Sequence, residues 1–310
     1  MQQEFRISVI VPCYNEEGNI ELLFEKVSKQ IEKYKQFELI IIDDGSTDST
    51  LNIIKEICKK DPLKYKYISL SRNFGHQNAL KAGLDYASGN CVISMDGDMQ
   101  HPPELIDLMI EKWLDGFDVV YTTRLDDSKE SFSKRITSKL FYKFINYLSD
   151  YEIKNGAADF RLLDRKVVDV IKNLPENFLF IRGLVSWVGF KQINLNYNPN
   201  ARYTGKTKYS LKKMISFASS GITSFSVKPL KLSIFFGVII ALLSFIYALF
   251  VLWAFLFTNK AIQGWTSVIL SVLFIGGIQL IMIGIIGEYL GKMFLENKKR
   301  PNYIIKENNL

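Results

Sequence analysis

The chain has 310 residues, enough for one or two domains with a sizeable core. Hydrophobic residues make up 48% of it and mean hydropathy is slightly positive, which argues against a purely soluble protein. The net charge of +7 is uneven: residues 1–200 hold 26 bases and 29 acids, residues 201–231 seven bases and no acid, and residues 232–310 six bases and three acids. Bases gathered beside an apolar run, rather than on an aromatic-rich soluble face, point away from nucleic acid as a partner.

The N-terminus MQQEFRISVIVP runs straight into a strand pattern, so no leader peptide is expected. RISVIVP (6–12) reads as a buried strand, followed by a helical pattern from about Gly18 to Tyr34. FELIIID (37–43) is a second strand, with DGSTDST and a helix to about Lys59 behind it; YKYISL (65–70) is a third, and HQNALKAGLDYAS is helical. NCVISM (90–95) is a fourth strand, PPELIDLMIEKWL a helix with prolines at its start, and FDVVYTT (117–123) a fifth strand. Such alternation predicts an α/β domain with a largely parallel sheet covered on both faces.

Residues 126–150 are polar, then amphipathic and basic; NGAADFRLLDR (155–165) reads as a turn and a short extended piece. KVVDVIKNLPE and IRGLVSWVG look helical, and FKQINLNYN (190–198) reads as a late strand. Residues 209–227 have the pattern of a helix lying in a membrane interface, or equally of a linker helix. Residues 232–257 and 265–287 carry no charge and each exceeds the about 20 residues that span a bilayer. A buried helical hairpin is the alternative, and an expensive one for runs this free of charge. Bases precede the first run and follow the second, while the loop between them holds only Lys260, so both large ends are expected on the cytoplasmic side. Cys13, Cys58 and Cys91 form no CxxC, as suits a reducing compartment, and two histidines, His76 and His101, are too few for a His-rich metal site.

Ligands of open parallel sheets bind beyond the carboxyl ends of the strands. Polar clusters fall at four such ends: PCYNEE, DDGSTD, SRNFG and DGDMQHP. In the last, Asp96 and Asp98 flank Gly97, which lets the backbone bend so that both carboxylates face one site. A hard divalent cation, Mg²⁺ or Mn²⁺, would cancel their repulsion, with Gln100 adding an oxygen and a substrate diphosphate completing the shell. The alternative is a helix N-cap by Asp98 or His101 ahead of Pro102 and Pro103.

VIVPCYNEEGNI, IIDDGSTDST and MDGDMQHPPE together resemble the family-2 glycosyltransferases with the GT-A fold, a Rossmann-like, mostly parallel sheet. NGAADFRLLDR, FIRGLVSWVG, RYTGKTKYSLKKM and the two apolar runs narrow the resemblance to the polyisoprenyl-phosphate glycosyltransferases of the GtrB type, related to dolichol-phosphate mannose synthase. The likeness covers residues 5–300. It implies a catalytic domain over 1–208, a basic juxtamembrane segment over 209–231, transmembrane helices over 232–257 and 265–287, and a cytoplasmic tail over 288–310, in the inner membrane of a bacterium. Pro12, Tyr14 and Glu16 would line the nucleotide pocket, Asp44 would contact the base with Asp43 structural beside it, and Asp96 would face ribose and diphosphate. Asp98 and Gln100, with Asp96, would hold the metal. Arg202 and Lys208 would reach donor phosphates, with lipid headgroups as their other use. Arg124, Lys134, Arg135 and Ser138 resemble the acceptor-phosphate cluster, where the alternative is a solvated helix face.

The reaction so implied is inverting transfer of a hexose from a nucleotide sugar, UDP-glucose or UDP-N-acetylglucosamine, to polyprenyl (undecaprenyl) phosphate. A phosphate monoester, with a second pKa near ~6, is mostly dianionic at neutral pH and needs little help from a general base. Asp159 stands where relatives have a carboxylate discussed as catalytic; it would act as base, orient the acceptor or Arg161, or serve a structural pair with Arg161 or Arg165. The resemblance also implies association through the membrane region, a flippase and a downstream glycosyltransferase. A processive glycan synthase shares the N-terminal motifs but would need a QxxRW segment, which the chain lacks. A silent membrane scaffold would not need the acid pair, while a protein or diacylglycerol acceptor stays open.

Overall fold

The computed structural model describes residues 5–125, 157–176, 179–199, 226–258 and 264–310. Lys134, Arg135, Ser138, Arg202, Lys208 and all but the last two residues of 209–227 lie outside the described residues.

Runs of Ile, Val and Leu that are apolar on both faces become the middle of the sheet. β1 (Arg6–Cys13) and β2 (Gln36–Asp43) are each buried at every residue but the first, as strands covered on both sides must be. They pair in parallel from Arg6↔Gln36 to Cys13↔Asp43. β3 (Tyr65–Leu70) joins β2 and β4 (Cys91–Ser94) joins β1, both in parallel. β5 (Val119–Arg124) and β7 (Gln192–Tyr197) are parallel to each other. Two antiparallel strands, β6 (Ala157–Asp164) and β8 (Ile305–Asn308), complete the order β7-β5-β6-β4-β1-β2-β3-β8.

Helices cover both faces. Leu23 of α1 (Ile20–Ile31), Ile54 of α2 (Thr50–Cys58) and Met109 of α4 (Leu105–Leu114) share one core with Val9, Ile41 and Ile93. Leu80 of α3 (His76–Tyr86), Val168 of α5 (Arg165–Lys172) and Val185 of α6 (Ile181–Trp187) share the other with Ile10, Ile40 and Val92. The three cysteines are free and buried.

Two strands differ from the sequence expectation. The short extended piece at 155–165 is the eight-residue β6, inserted between β4 and β5. Asp159 and Arg161 break its apolar pattern, and both are buried, because they neutralise each other within the fold. The expected tail ends in β8, whose alternating half-buried and exposed residues IKEN line the sheet edge. Lys55 pairs with Glu307 at 2.7 Å, Tyr303 donates to Asp85 at 2.8 Å, and the Asn309 amide bonds the backbone of Tyr65 and Tyr67.

α7 (Lys228–Thr258) and α8 (Trp265–Asn297) contain the two charge-free runs and extend past them. At 1.5 Å per residue they are about 46 and about 50 Å long. Phe236, Leu243, Phe250, Leu280 and Phe294 are each more than half exposed. Two helices long and apolar enough to cross a membrane, with such side chains outward, fit lipid better than water.

Candidate active site

The carboxyl ends of β1 to β4 lie at one edge, and their loops are tied together. Asn15, at φ 53°, donates its N–H to Ser46 Oγ at 3.0 Å and accepts from the Thr47 N–H at 2.9 Å. Glu16 donates its N–H to Thr50 Oγ1 at 2.9 Å, and its carboxylate accepts from the Asn19 amide at 2.6 Å. Gly45 stands at φ +69°, and a Cβ there would lie 2.4 Å from the carbonyl carbon of Arg72, so the DDGS turn abuts the loop after β3. Pro12 is buried at the end of β1; Tyr14 and Glu16 are half-buried beyond it.

Both acids of DDGS are buried. Asp43 accepts from the Ser46 N–H at 3.0 Å and the Ser69 hydroxyl at 2.9 Å. Asp44 accepts from the backbone N–H groups of Phe74 at 2.7 Å and Gly75 at 2.9 Å. Burial outweighs those two donors and raises the Asp44 pKa above the ordinary carboxylate value.

The DGDMQHP loop is shaped differently from its expected bend. Gly97 serves close approach: a Cβ would sit 3.3 Å from Cys13 Cβ and 3.4 Å from the Pro12 carbonyl. The left-handed residue is Met99, at φ 64°, after which the Gln100 N–H returns to Asp98 Oδ1 at 3.2 Å. Neither Asp98 nor His101 caps α4, whose N-cap position is Glu104. His101 instead accepts the Asp96 N–H at its Nδ1 (3.1 Å) and stacks on Phe160, 5.1 Å between ring centroids. Tyr197 meets the edge of the same pair, and burial pushes its hydroxyl pKa up to about 12. Arg124, at the end of β5, donates to Gln100 Oε1 at 3.4 Å, which brings one expected acceptor-side cation to the acid loop.

Beside the loop lies a cluster of charge built on the buried Asp159 and Arg161. Arg182 holds Asp159 by two bonds of 2.8 Å, Nε to Oδ1 and Nη2 to Oδ2. Arg161 adds a bond of 3.2 Å to Oδ1 and donates to the Ala158 carbonyl at 2.8 Å. Gln77 reaches Oδ2 at 3.5 Å and accepts the Ile181 N–H at 3.0 Å. His76 Nε2 lies 3.3 Å from both Asp159 Oδ2 and Asp96 Oδ1. Burial alone would raise the Asp159 pKa; Arg182 first, then His76 and Arg161, hold it well below the carboxylate range. Burial opposes charge on His76, but Asp96 and Asp159 prevail and lift its pKa to about 9. Burial brings the Arg161 guanidinium down to about 10.

His76, Asp96 and Asp159 offer three ligand atoms within 4.8 Å of one another. They suit a metal poorly, because two guanidiniums already occupy both oxygens of Asp159. The outer acids fit better. Asp96 Oδ1 makes no hydrogen bond and has the His76 Nε2 3.3 Å away, while Asp96, Asp98 and Gln100, the expected ligands, would offer oxygens alone, the donors Mg²⁺ or Mn²⁺ prefers.

Sequence reasoning passed over His76, Gln77 and Arg182 as candidate site residues. The position of His76 just after the SRNFG cluster, at the same sheet edge as the acids, was a usable signal. Arg182 follows no strand, and only tertiary packing carries it to Asp159.

The model of glycosyl transferase family 2 matches residues 8–172, and that of the GtrB C-terminal hairpin matches residues 228–293, which fall on α7 and α8. The chain is 44% identical over 308 residues to an uncharacterised glycosyltransferase of Bacillus subtilis (strain 168), covering 99% of this chain and 95% of that one. It is 42% identical over 303 residues to a prophage bactoprenol glucosyl transferase homolog of Escherichia coli (strain K12) and to the bactoprenol glucosyl transferase of Shigella phage SfV. Each of these alignments covers 97% of this chain and 98% of the relative. A mixed, mostly parallel α/β sheet, a membrane-associating hairpin behind it and full-length likeness of this degree make the chain a glycosyltransferase that belongs to glycosyl transferase family 2.

Proposed function

We propose that this enzyme transfers glucose from a nucleotide sugar, UDP-glucose as first choice, to undecaprenyl phosphate with inversion at the anomeric carbon. The observation that carries the reading is likeness across the whole chain, catalytic domain and hairpin together, to relatives named bactoprenol glucosyl transferases. The geometry supports it. Arg124 stands 3.4 Å from Gln100 in the acid loop, so a cation for an acceptor phosphate adjoins the oxygens expected at the donor diphosphate.

In the proposed step a lipid phosphate oxygen attacks the anomeric carbon, the bond from that carbon to the diphosphate breaks, and the nucleoside diphosphate leaves. Mg²⁺ or Mn²⁺ on Asp98, Gln100 and Asp96 would offset charge growing on the leaving group. Asp44 and Asp96 address base and ribose, with Pro12, Tyr14 and Glu16 walling the nucleotide. Arg202 and Lys208 serve the donor phosphates; Lys134, Arg135 and Ser138 join Arg124 at the acceptor. Asp159, with both oxygens held by guanidiniums, is a weak base and a strong anchor. The dianionic acceptor makes a base unnecessary.

The fold and the charge support a location at the cytoplasmic face of the membrane. β8 pairs with β3, so the chain before and after the hairpin belongs to one domain on one side of the membrane. Lys228 and Lys231 precede the hairpin core and Lys292, Lys298, Lys299 and Arg300 follow it, which supports a cytoplasmic side for that domain. A sugar on a lipid phosphate must then be turned across the membrane and consumed, which calls for a flippase and a downstream glycosyltransferase. Self-association through the hairpin is part of the same proposal.

The test is purified enzyme in detergent with undecaprenyl phosphate, Mg²⁺ or Mn²⁺ and a panel of labelled nucleotide sugars, beside Asp98→Ala. One donor should give a labelled lipid that disappears with the variant or with chelator. Donor hydrolysis without lipid product would overturn the acceptor, and no turnover of any donor would overturn the reading.

A further inference from the structure

We infer that His76 is a positioning residue for the donor: set between Asp96 and Asp159, its imidazole fixes the Asp96 carboxylate and so the spacing of Asp96 from Asp44 that a nucleoside diphosphate must span. The inference rests on the proposed donor site.

The need for such a residue is written in the sheet. β4 and β6 pair from Cys91↔Asp164 to Ser94↔Arg161. Beyond the end of that pairing Asp96 and Asp159 meet, with a carboxylate oxygen of each within 4.8 Å of the other, where like charges repel. Asp159 is balanced by Arg161 and Arg182. Asp96 has no guanidinium within pairing distance among the described residues; it faces His76 at 3.3 Å and His101 at 3.6 Å. His101 accepts the Asp96 N–H at Nδ1, which leaves its Nε2 proton toward Asp96 Oδ2, but it is farther from that carboxylate and does not reach Asp159. Among the described residues His76 alone pairs with both carboxylates.

His76 also sits in a clip that reaches the second donor-side acid. The N–H groups of Phe74 and Gly75 hold Asp44, so three consecutive residues address both acids. Gly75 makes the turn possible at φ +96°. The clip is anchored by α3: the Asn78 amide donates to the Phe74 carbonyl at 2.7 Å, and Ala79, Leu80, Ala82 and Leu84 are buried. Gly83 lets the helix press on Ile10 and Ile42, where a Cβ would stand about 3 Å from both. Without the imidazole, Asp96 is left opposite a fixed Asp159 and turns from the position the donor requires.

The experiment is His76→Ala, read by calorimetric binding of UDP, by kcat and KM for UDP-glucose, by melting temperature and by addition of free imidazole. A misplacement of about 1 Å at a reacting site costs about 10²-fold. The expected result is a loss of kcat/KM of that order with weakened UDP binding, and recovery of a large part of both when imidazole is added. His76→Asn, closer in shape and still a donor, should retain more activity than His76→Ala and serves if the alanine variant does not fold. Unchanged binding and kcat/KM in a folded variant would overturn the inference. So would a loss that tracks a lowered melting temperature and that imidazole does not restore. Wild-type enzyme that neither binds UDP nor turns over any donor would instead overturn the proposed function.

Discussion

Replacing Asp159 by Asn separates an anchor from a base. Four donor atoms from Arg182, Arg161 and Gln77 converge on this carboxylate, with His76 beside them. Asn keeps the shape, removes the charge and turns an NH₂ toward a guanidinium. Arg161, 2% exposed, is then left without its counter-ion. Removing one partner of a buried ion pair costs about 3–5 kcal/mol. For a domain of this size each kcal/mol lowers the melting temperature by about 2–4 °C, so the lower bound of about 3 kcal/mol gives a fall of about 6–12 °C. The assay is thermal unfolding in detergent at a fixed scan rate, beside the pH dependence of kcat. The double variant Asp159→Asn/Arg182→Gln should lose less than the sum of the single losses, since both disrupt one pair. The acid limb of the wild-type pH profile should fall near the second pKa of the acceptor phosphate, about 6. A variant that melts with the wild type yet has no activity would refute the anchor and favour a base.

Two further perturbations test the frame around the site. Glu38, fully buried, is bound by Ser8 (2.6 Å), Ser88 (2.7 and 2.8 Å), Lys66 (2.9 Å) and Arg6 (3.1 Å). Burial would raise its pKa, but Lys66, Ser8 and Ser88 lower it from 4.5 to about 2. That stabilisation, about 3 kcal/mol, is complete above pH 4.5 and fades as pH falls toward 2. Glu38→Gln should therefore lower the melting temperature at pH 7 and narrow its gap to the wild type at pH 3; an equal gap at both would refute the linkage. Deleting residues 302–310 removes β8 and its ties to Lys55, Asp85 and Tyr67. The bared β3 edge should lower the melting temperature and promote aggregation on size-exclusion chromatography, whereas unchanged behaviour would show that β8 adds nothing to stability.

Local pattern in the sequence determined much of this protein. Uniform apolar runs such as VIV and LIII set β1 and β2, and the polar clusters behind them marked the edge where the acids collect. The charge-free runs announced α7 and α8 by length and composition alone. Each of these signals lies within one contiguous stretch of sequence. Tertiary structure decided the rest. β6 is a strand because Asp159 and Arg161 find partners that let them be buried, and no window of sequence around them contains Arg182 or His76. β8 is a strand because β3 offers it an open edge, although more than two hundred residues separate the two. Asp44 binds two backbone N–H groups from the β3–α3 connection, which its own DDGS motif does not reveal. Burying a charge is tolerable only where an opposite charge or a donor is already waiting, and distant segments supply those partners only once the sheet has formed.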